Sequence, residues 1–387
     1  MIPYGQQEIN QADIDAVINV LKSDFLTQGP MVPQFEKTVV DYCGAKYGVA
    51  VNSATSALHI ACLALGLAKD DWLWTSPITF VASANCALYC GAKVDFVDID
   101  PCTYNLSAEA LEQKLIQAKK KNRLPKIVVP VHLCGQSCDM EAIYNLSQQY
   151  GFKIIEDASH AIGGKYKNEP IGNCRYSDAT VFSFHPVKII TTAEGGMVVT
   201  KDPQLAEKMA LLRSHGITRD PALMDKKPDG SWYYQQIELG FNYRMTDLQA
   251  ALGISQMGRL DEFISRRHQI ALNYNRAFAG LPIVTPWQHP DTHSAMHLYV
   301  VRIDFKKNSL SRKDFIEHLY KQGIGTNVHY IPVNTQPYYK KFGYIVENLL
   351  EAEKYYMEAL SLPMFSGMTN VQQVKIIEVM KKLMKNF

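Results

Sequence analysis

Val181-Phe-Ser-Phe-His-Pro-Val-Lys-Ile-Ile-Thr-Thr-Ala-Glu-Gly-Gly196 places a single lysine, Lys188, between two apolar runs. Residues 179–184 read as a buried strand, a turn containing Pro186 follows, and residues 197–200 read as a second strand. A lysine held between buried strands loses hydration, which disfavours its ammonium form and lowers its pKa from roughly 10.4. The free amine that results attacks carbonyls and forms Schiff bases. Taken alone, the stretch favours a plainer reading, in which the lysine head reaches solvent along its apolar stem.

A second stretch changes that balance. Lys153-Ile-Ile-Glu-Asp-Ala-Ser-His160 ends a short hydrophobic strand in Glu-Asp, roughly thirty residues upstream, the spacing of a strand-to-strand repeat. It sets a carboxylate at the carboxyl edge of a sheet, where open α/β folds bind ligands. Pyridoxal phosphate needs both groups. Its aldehyde needs a lysine, and its ring nitrogen needs an acid to stay protonated, so that the ring can serve as an electron sink.

Glu156-Asp-Ala-Ser-His160, Ser183-Phe-His-Pro-Val-Lys188, Thr191-Thr-Ala-Glu-Gly-Gly196 and Gly240-Phe-Asn-Tyr-Arg-Met-Thr246 together resemble the nucleotide-sugar aminotransferases of the DegT/DnrJ/EryC1/StrS family. The similarity follows that family's own order from Pro3 nearly to the C-terminus. Several motifs in register carry more weight than any one of them. The resemblance implies an α/β enzyme of pyridoxal-phosphate fold type I. It would have a large domain (1–248) with a mainly parallel seven-stranded sheet, a smaller C-terminal α+β domain (249–387), and a homodimer with a shared active site.

It also implies roles for particular residues. Lys188 carries the cofactor and shuttles a proton between substrate and cofactor carbons, while Asp157 pairs with the pyridine nitrogen. His160 lies beside the ring, and Ser183 donates to the phosphate. Ser53-Ala-Thr-Ser-Ala-Leu-His opens a helix with small hydroxyl residues, and its free amides suit a phosphate. The resemblance puts the cofactor phosphate there, at Ala54, Thr55 and Ser56. Phe80 corresponds to the aromatic that stacks on the pyridine, and Asn242 to a residue that reaches the phosphate site of the neighbouring subunit. Arg244 suits either an anionic group or a buried ion pair. His185 has no matching role and reads as structural.

For the substrate, the loop Phe25-Leu-Thr-Gln-Gly-Pro30 and the segment Asn327-Val-His-Tyr-Ile-Pro332 match regions that face the sugar nucleotide. Tyr4, Phe25, Leu26, Thr27, Asn327, Val328, His329 and Tyr330 are the candidate contacts, each of them also readable as an ordinary loop or strand-end residue. Within the family, Leu26-Thr-Gln-Gly29, Asn52-Ser-Ala-Thr-Ser-Ala-Leu58 and Ile190-Thr-Thr-Ala-Glu-Gly-Gly196 look most like the aminotransferases of pseudaminic acid synthesis. These transfer an amino group, here from L-glutamate by family analogy, to C4 of a UDP-linked 4-keto-6-deoxy-N-acetyl sugar. Another dTDP- or UDP-keto-sugar is the first alternative. A sugar dehydrase of this fold is expected to have histidine in place of Lys188, and a non-catalytic regulator would not need the lysine and the carboxylate together.

Composition agrees with a globular enzyme. Hydrophobic residues make up 47% and charged residues 20%, and 40 basic against 38 acidic side chains leave +2, no electrostatic footprint for nucleic acid or an anionic membrane. The length, 387 residues, predicts two domains. Met1-Ile-Pro-Tyr is unlike a signal peptide, and no apolar run is long enough to cross a bilayer; the expectation is a cytoplasmic protein. All eight cysteines precede Arg175, and the pairs Cys86/Cys90 and Cys134/Cys138 have three-residue spacing, so reduced thiols with neither metal nor disulfide are expected. No Gly-x-Gly-x-x-Gly follows any strand, which removes the main support for a nicotinamide enzyme.

Along the rest of the chain, hydrophobic periodicity predicts helices over 10–23, 53–66, 80–90, 139–150, 202–214, 312–322, 346–361 and 372–385. One long helix is expected from 246 to 274, kinked at Gly253 or Gly258. A loop over 215–239 is long enough to be functional or an interface element.

Overall fold

The computed structural model describes residues 1–307, 310–341, 343 and 349–384. Helices α1 (Gln11–Leu21) and α2 (Met31–Cys43) precede strand β1 (Tyr47–Val51). Strand–helix alternation follows through α3 (Ala54–Ala64), β2 (Trp72–Thr75), α4 (Ala82–Tyr89), β3 (Lys93–Phe96), α5 (Ala108–Lys120), β4 (Ile127–Val129), α6 (Met140–Tyr150) and β5 (Lys153–Asp157). A small hairpin, β6 (Lys165–Tyr166) and β7 (Glu169–Pro170), leads to β8 (Ala179–Ser183), β9 (Gly196–Thr200) and α7 (Pro203–Arg213). The first part of the chain therefore has the alternation that builds parallel sheets.

Seven of these strands form one sheet in the order β1-β9-β8-β5-β4-β2-β3. The pairs β3/β2, β2/β4, β4/β5 and β5/β8 are parallel, whereas β9 runs antiparallel to both β8 and β1. The expected mainly parallel seven-stranded sheet is present. Its direction reverses at β9, where residues 184–195, carrying Lys188, fold back as a hairpin without an intervening helix. Every residue of β8 and β9 is buried, as a sheet covered on both faces requires.

The segment after α7 is more structured than the expected loop, since β10 (Ile217–Thr218) pairs with β11 (Gln235–Gln236) in a two-residue ribbon. The predicted long helix is two helices, α8 (Asp247–Met257) and α9 (Leu260–Phe278), separated at Gly258. Thr246 and Gln249 form a capping box at its start, which supplies two of the amide partners a helix end lacks. The expected division at 248/249 falls inside α8. Ala250, Met257 and Ile264 pack in the core of α2 and β9, whereas Ile270 and Phe278 pack with Phe315, Leu319 and Ile376; the change of core comes along α9.

Beyond it, β12 (Thr292–His293) pairs with β6, and β13 (Tyr299–Arg302) is followed by α10 (Arg312–Lys321), α11 (Pro337–Lys341), α12 (Leu350–Glu358), β14 (Ala359–Leu362) and α13 (Asn370–Met384). The helix predicted over 346–361 is corrected here. It ends at Glu358, and Ala359–Leu362 pairs antiparallel with β13, because these four residues are all buried and their amides are satisfied across the strand pair. Residues 346–348 and 385, included in the predicted helices, lie outside the described residues. The N-terminal helix is tied to α8. Buried Asp13 of α1 accepts from Ser255 and Gln256 of α8 and from Arg259 at the α8–α9 junction.

Candidate active site

The carboxyl ends of β5 and β8, the start of α3 and the start of α4 meet at a cavity of about 990 Å³. Lys188 and Asp157 both line it, with Ala54, Thr55, Ser56, Phe80, His160 and Ser183. The lysine is presented by a tightly tied hairpin. Phe184 donates from its amide to Gly195 O and accepts from Thr192 N and Thr191 Oγ1, while Lys188 N closes a turn on His185 O at 2.9 Å. Burial pushes the lysine down to about 8, against the opposing pull of the Asp157 charge. Near neutrality it thus has a substantial share of free amine, the nucleophilic form.

Asp157 ends β5 with its carboxylate held on both sides. Oδ1 accepts from the Ser159 amide at 3.1 Å, and Oδ2 accepts from Ser83 Oγ at 2.6 Å. Another part of the cavity wall is built by the first turn of α3. Ser53 caps that helix, its Oγ accepting from Ser56 N at 3.1 Å, and Ser56 Oγ donates to Asn52 Oδ1 at 2.7 Å. The amides of Ala54 and Thr55, which have no partner within a helix, sit at the cavity. Gly196 explains the close packing here, for a Cβ on it would lie 2.5 Å from Ala54 N. Amide donors, a helix N-terminus and serine hydroxyls suit a dianionic phosphate.

His160 is fixed from two directions. Its Nδ1 accepts from the Cys134 amide at 3.3 Å, so Nε2 carries the hydrogen and donates to the Tyr330 hydroxyl oxygen at 3.1 Å. The Tyr330 hydrogen is left free for another acceptor. Burial, with the Lys188 charge second, pushes His160 well below the usual histidine range, and His329 is lowered to about 3 by the same two causes. His329 Nδ1 pairs with Ser361 Oγ at 2.7 Å, and its ring lies 5.3 Å from that of Tyr4.

These residues fit pyridoxal phosphate: an amine whose basicity burial has lowered, a carboxylate and an anion-binding helix start share one cavity. The sequence pattern of the DegT/DnrJ/EryC1/StrS aminotransferase family matches residues 7–381. The chain belongs to this family. Among relatives, it is 41% identical to the spore coat polysaccharide biosynthesis protein SpsC of Bacillus subtilis, over 99% of this chain and 97% of that protein. It is 38% identical to the UDP-4-amino-4,6-dideoxy-N-acetyl-beta-L-altrosamine transaminase of Campylobacter jejuni, over 100% of both. Helicobacter pylori PseC, an aminotransferase of pseudoaminic acid biosynthesis, superimposes with a TM-score of 0.90 at 32% identity over 100% of both chains. The PLP form of the sugar aminotransferase Spr1654 of Streptococcus pneumoniae gives 0.88 at 29% identity, covering 99% of this chain and 98% of that one. As a DegT/DnrJ/EryC1/StrS aminotransferase, this protein is a pyridoxal-phosphate-dependent sugar aminotransferase.

Not every candidate residue from the sequence reaches the cavity of its own chain. Tyr4, Asn327, Val328, His329 and Tyr330 line it. Phe25, Leu26 and Thr27 do not: Phe25 and Leu26 are exposed, and Thr27 pairs with Thr246 at the head of α8. Asn242 is exposed, bridged to Ser214 through its backbone. His185, read as structural, lines the cavity mouth. Sequence reasoning missed Ser83, Ser159, His297, Glu194 and Gln249, all of which line it.

Proposed function

We propose that this aminotransferase moves an amino group from L-glutamate to C4 of a UDP-linked 4-keto-6-deoxy-N-acetyl sugar, in pseudaminic acid synthesis. It would work in the cytoplasm as a homodimer. The reading is carried by one observation, the presence of Lys188 and Asp157 in a single cavity that a serine-capped helix start also lines. The cavity's volume leaves room beyond the cofactor for a sugar, and the activity of the Campylobacter jejuni relative, a transaminase of a UDP-linked amino sugar, suggests the substrate class.

Pyridoxal phosphate, when bound, supplies the electron sink that lets an amino group leave one carbon and arrive at another. The chain's own residues do the rest. Lys188 takes a proton from the donor's α-carbon and returns one to the sugar carbon, a task suited to an amine that titrates at about 8. Asp157 would set its carboxylate against the ring nitrogen, where low dielectric makes the pairing stronger than in water. The α3 start, with Ser183, would hold the phosphate, and Phe80 would cover a ring face. Tyr330 would offer its free hydrogen to the substrate side, next to Tyr4, Asn327, Val328 and His329.

The dimer is supported by what a single chain leaves uncovered. Between α7 and α8, Trp232 is 72% and Leu239 75% exposed, large apolar side chains that a partner subunit would cover. In the shared-site reading, Asn242, Phe25, Leu26 and Thr27 contribute across the interface rather than to their own cavity. The SpsC likeness favours the alternative of another keto-sugar nucleotide. A panel of UDP- and dTDP-linked 3-keto and 4-keto sugars assayed with glutamate, with product stereochemistry by NMR, tests the proposal. Turnover of a different keto sugar in preference to the 4-keto-6-deoxy-N-acetyl substrate would overturn it.

A further inference from the structure

One contact in the site has a direction that can be deduced. An ionised carboxylate accepts hydrogen bonds and donates none, and a hydroxyl has one hydrogen to give. The single hydrogen of Ser83 is therefore committed to Asp157 Oδ2 at 2.6 Å, in preference to the Phe80 carbonyl at 3.3 Å. Thr79 Oγ1 lies 2.7 Å from Ser83 Oγ. With the serine hydrogen spent, Thr79 must be the donor in that pair, so the chain of donation runs from Thr79 through Ser83 to Asp157.

All three side chains are buried, so losing one member leaves a buried polar group short of a partner. On the other oxygen the Ser159 amide completes the grip at 3.1 Å, so rotating the carboxylate would break bonds on both sides. Phe80 sits between the two hydroxyl residues, on the turn that opens α4, with its ring 6.4 Å from that of Tyr330 across the cavity. A single short segment thus presents the aromatic face and clamps the acid.

We propose that Ser83 and Thr79 are positioning residues: they fix the orientation of Asp157 and tie it to the turn that presents Phe80. This rests on the reading that Asp157 faces the cofactor's ring nitrogen. Donated hydrogen bonds also draw on the carboxylate's charge, so Ser83 tunes how firmly that nitrogen keeps its proton.

The test uses the holoenzyme and the variants Ser83→Ala, Thr79→Val, Thr79→Ser and Asp157→Asn. Two quantities are read, the dissociation constant of pyridoxal phosphate and the pH midpoint of the bound cofactor's visible band. Loss of a hydrogen bond to a charged group predicts roughly a tenfold rise in the dissociation constant for Ser83→Ala, with a displaced band midpoint. Thr79→Val should shift both in the same direction by less, and Thr79→Ser should restore them; kcat should fall in Ser83→Ala while KM for the sugar nucleotide holds. If Asp157→Asn displaces the band and both Ser83→Ala and Thr79→Val leave it and the affinity unchanged, the proposal is overturned. If Asp157→Asn leaves the band unchanged as well, the placement of Asp157 at the ring is wrong, a separate failure. Should Ser83→Ala fail to fold, the Thr79→Val and Thr79→Ser pair decides by the same two readouts.

Discussion

Glu156 and Asp157 are neighbours on β5, yet the two faces of the sheet treat them in opposite ways. Alternation along a strand sends adjacent side chains to opposite sides. Glu156 meets a closed network in which Oε2 pairs with His132 Nε2 at 2.7 Å and Oε1 accepts from Ser177 and Thr180. His132 is itself held, its Nδ1 accepting from the Cys138 amide at 3.1 Å. Asp157 has two donors and an open side on the cavity. Burial pushes Glu156 up, but the bonds from His132, Ser177 and Thr180 together outweigh it and leave its carboxyl below the usual range. A carboxylate saturated by its own protein supports the sheet, whereas one left with spare acceptor capacity is free to take a ligand.

That contrast can be broken first at the amine facing Asp157. Lys188→Ala should lose all turnover and all borohydride-reducible attachment of the cofactor while remaining folded, measured by mass spectrometry after reduction and by circular dichroism. Asp157→Asn should come next, keeping the fold but lowering kcat by about a hundredfold or more, read under saturating cofactor. On the other face the same class of change should act on stability. His132→Leu strips Glu156 of a buried donor and should cost about 3 kcal/mol, visible in urea unfolding of the apoprotein, with kcat of the surviving folded fraction nearly unchanged. Equal activity losses for Asp157→Asn and His132→Leu would erase the distinction between the faces.

The smallest effect is a pH profile. Cofactor capture by the apoprotein requires the neutral amine, so its rate should climb about tenfold per pH unit below pH 8 and flatten above, as Lys188 titrates at about 8. Stability has a matching sign. Between about pH 8 and roughly 10.4 the unfolded chain still holds a proton that the folded apoprotein has released, so folding gains with rising pH in that window. Capture that keeps climbing to pH 10 would place the lysine in ordinary solvent.

Much of this was legible in residue order. The alternation of apolar strands and amphipathic helices up to β5 follows from local periodicity, and so do the caps at Thr246 and Ser53; of the two glycines at which a kink is expected, Gly253 and Gly258, the fold breaks at Gly258. The helix predicted across 346–361 failed at its end because Ala-Leu-Ser-Leu suits either state locally, and pairing with β13 settled it. Likewise, Ser83 looked like any small residue on a helix until the fold brought it against Asp157, which lies 74 positions away in the chain.

By itself, the sequence determined which groups the protein possesses for its chemistry: one lysine between apolar strands, an acid at a strand end, and a hydroxyl-rich helix start. Each is a matter of neighbours within a few residues. Only the tertiary structure decided how the carboxylates of Glu156 and Asp157 are partnered, which histidine nitrogen carries its hydrogen, and that Phe25, Leu26, Thr27 and Asn242 do not line the cavity. Those outcomes depend on partners brought together across long stretches of chain, and hydrogen-bond satisfaction in a buried space is settled only once all the partners are in place.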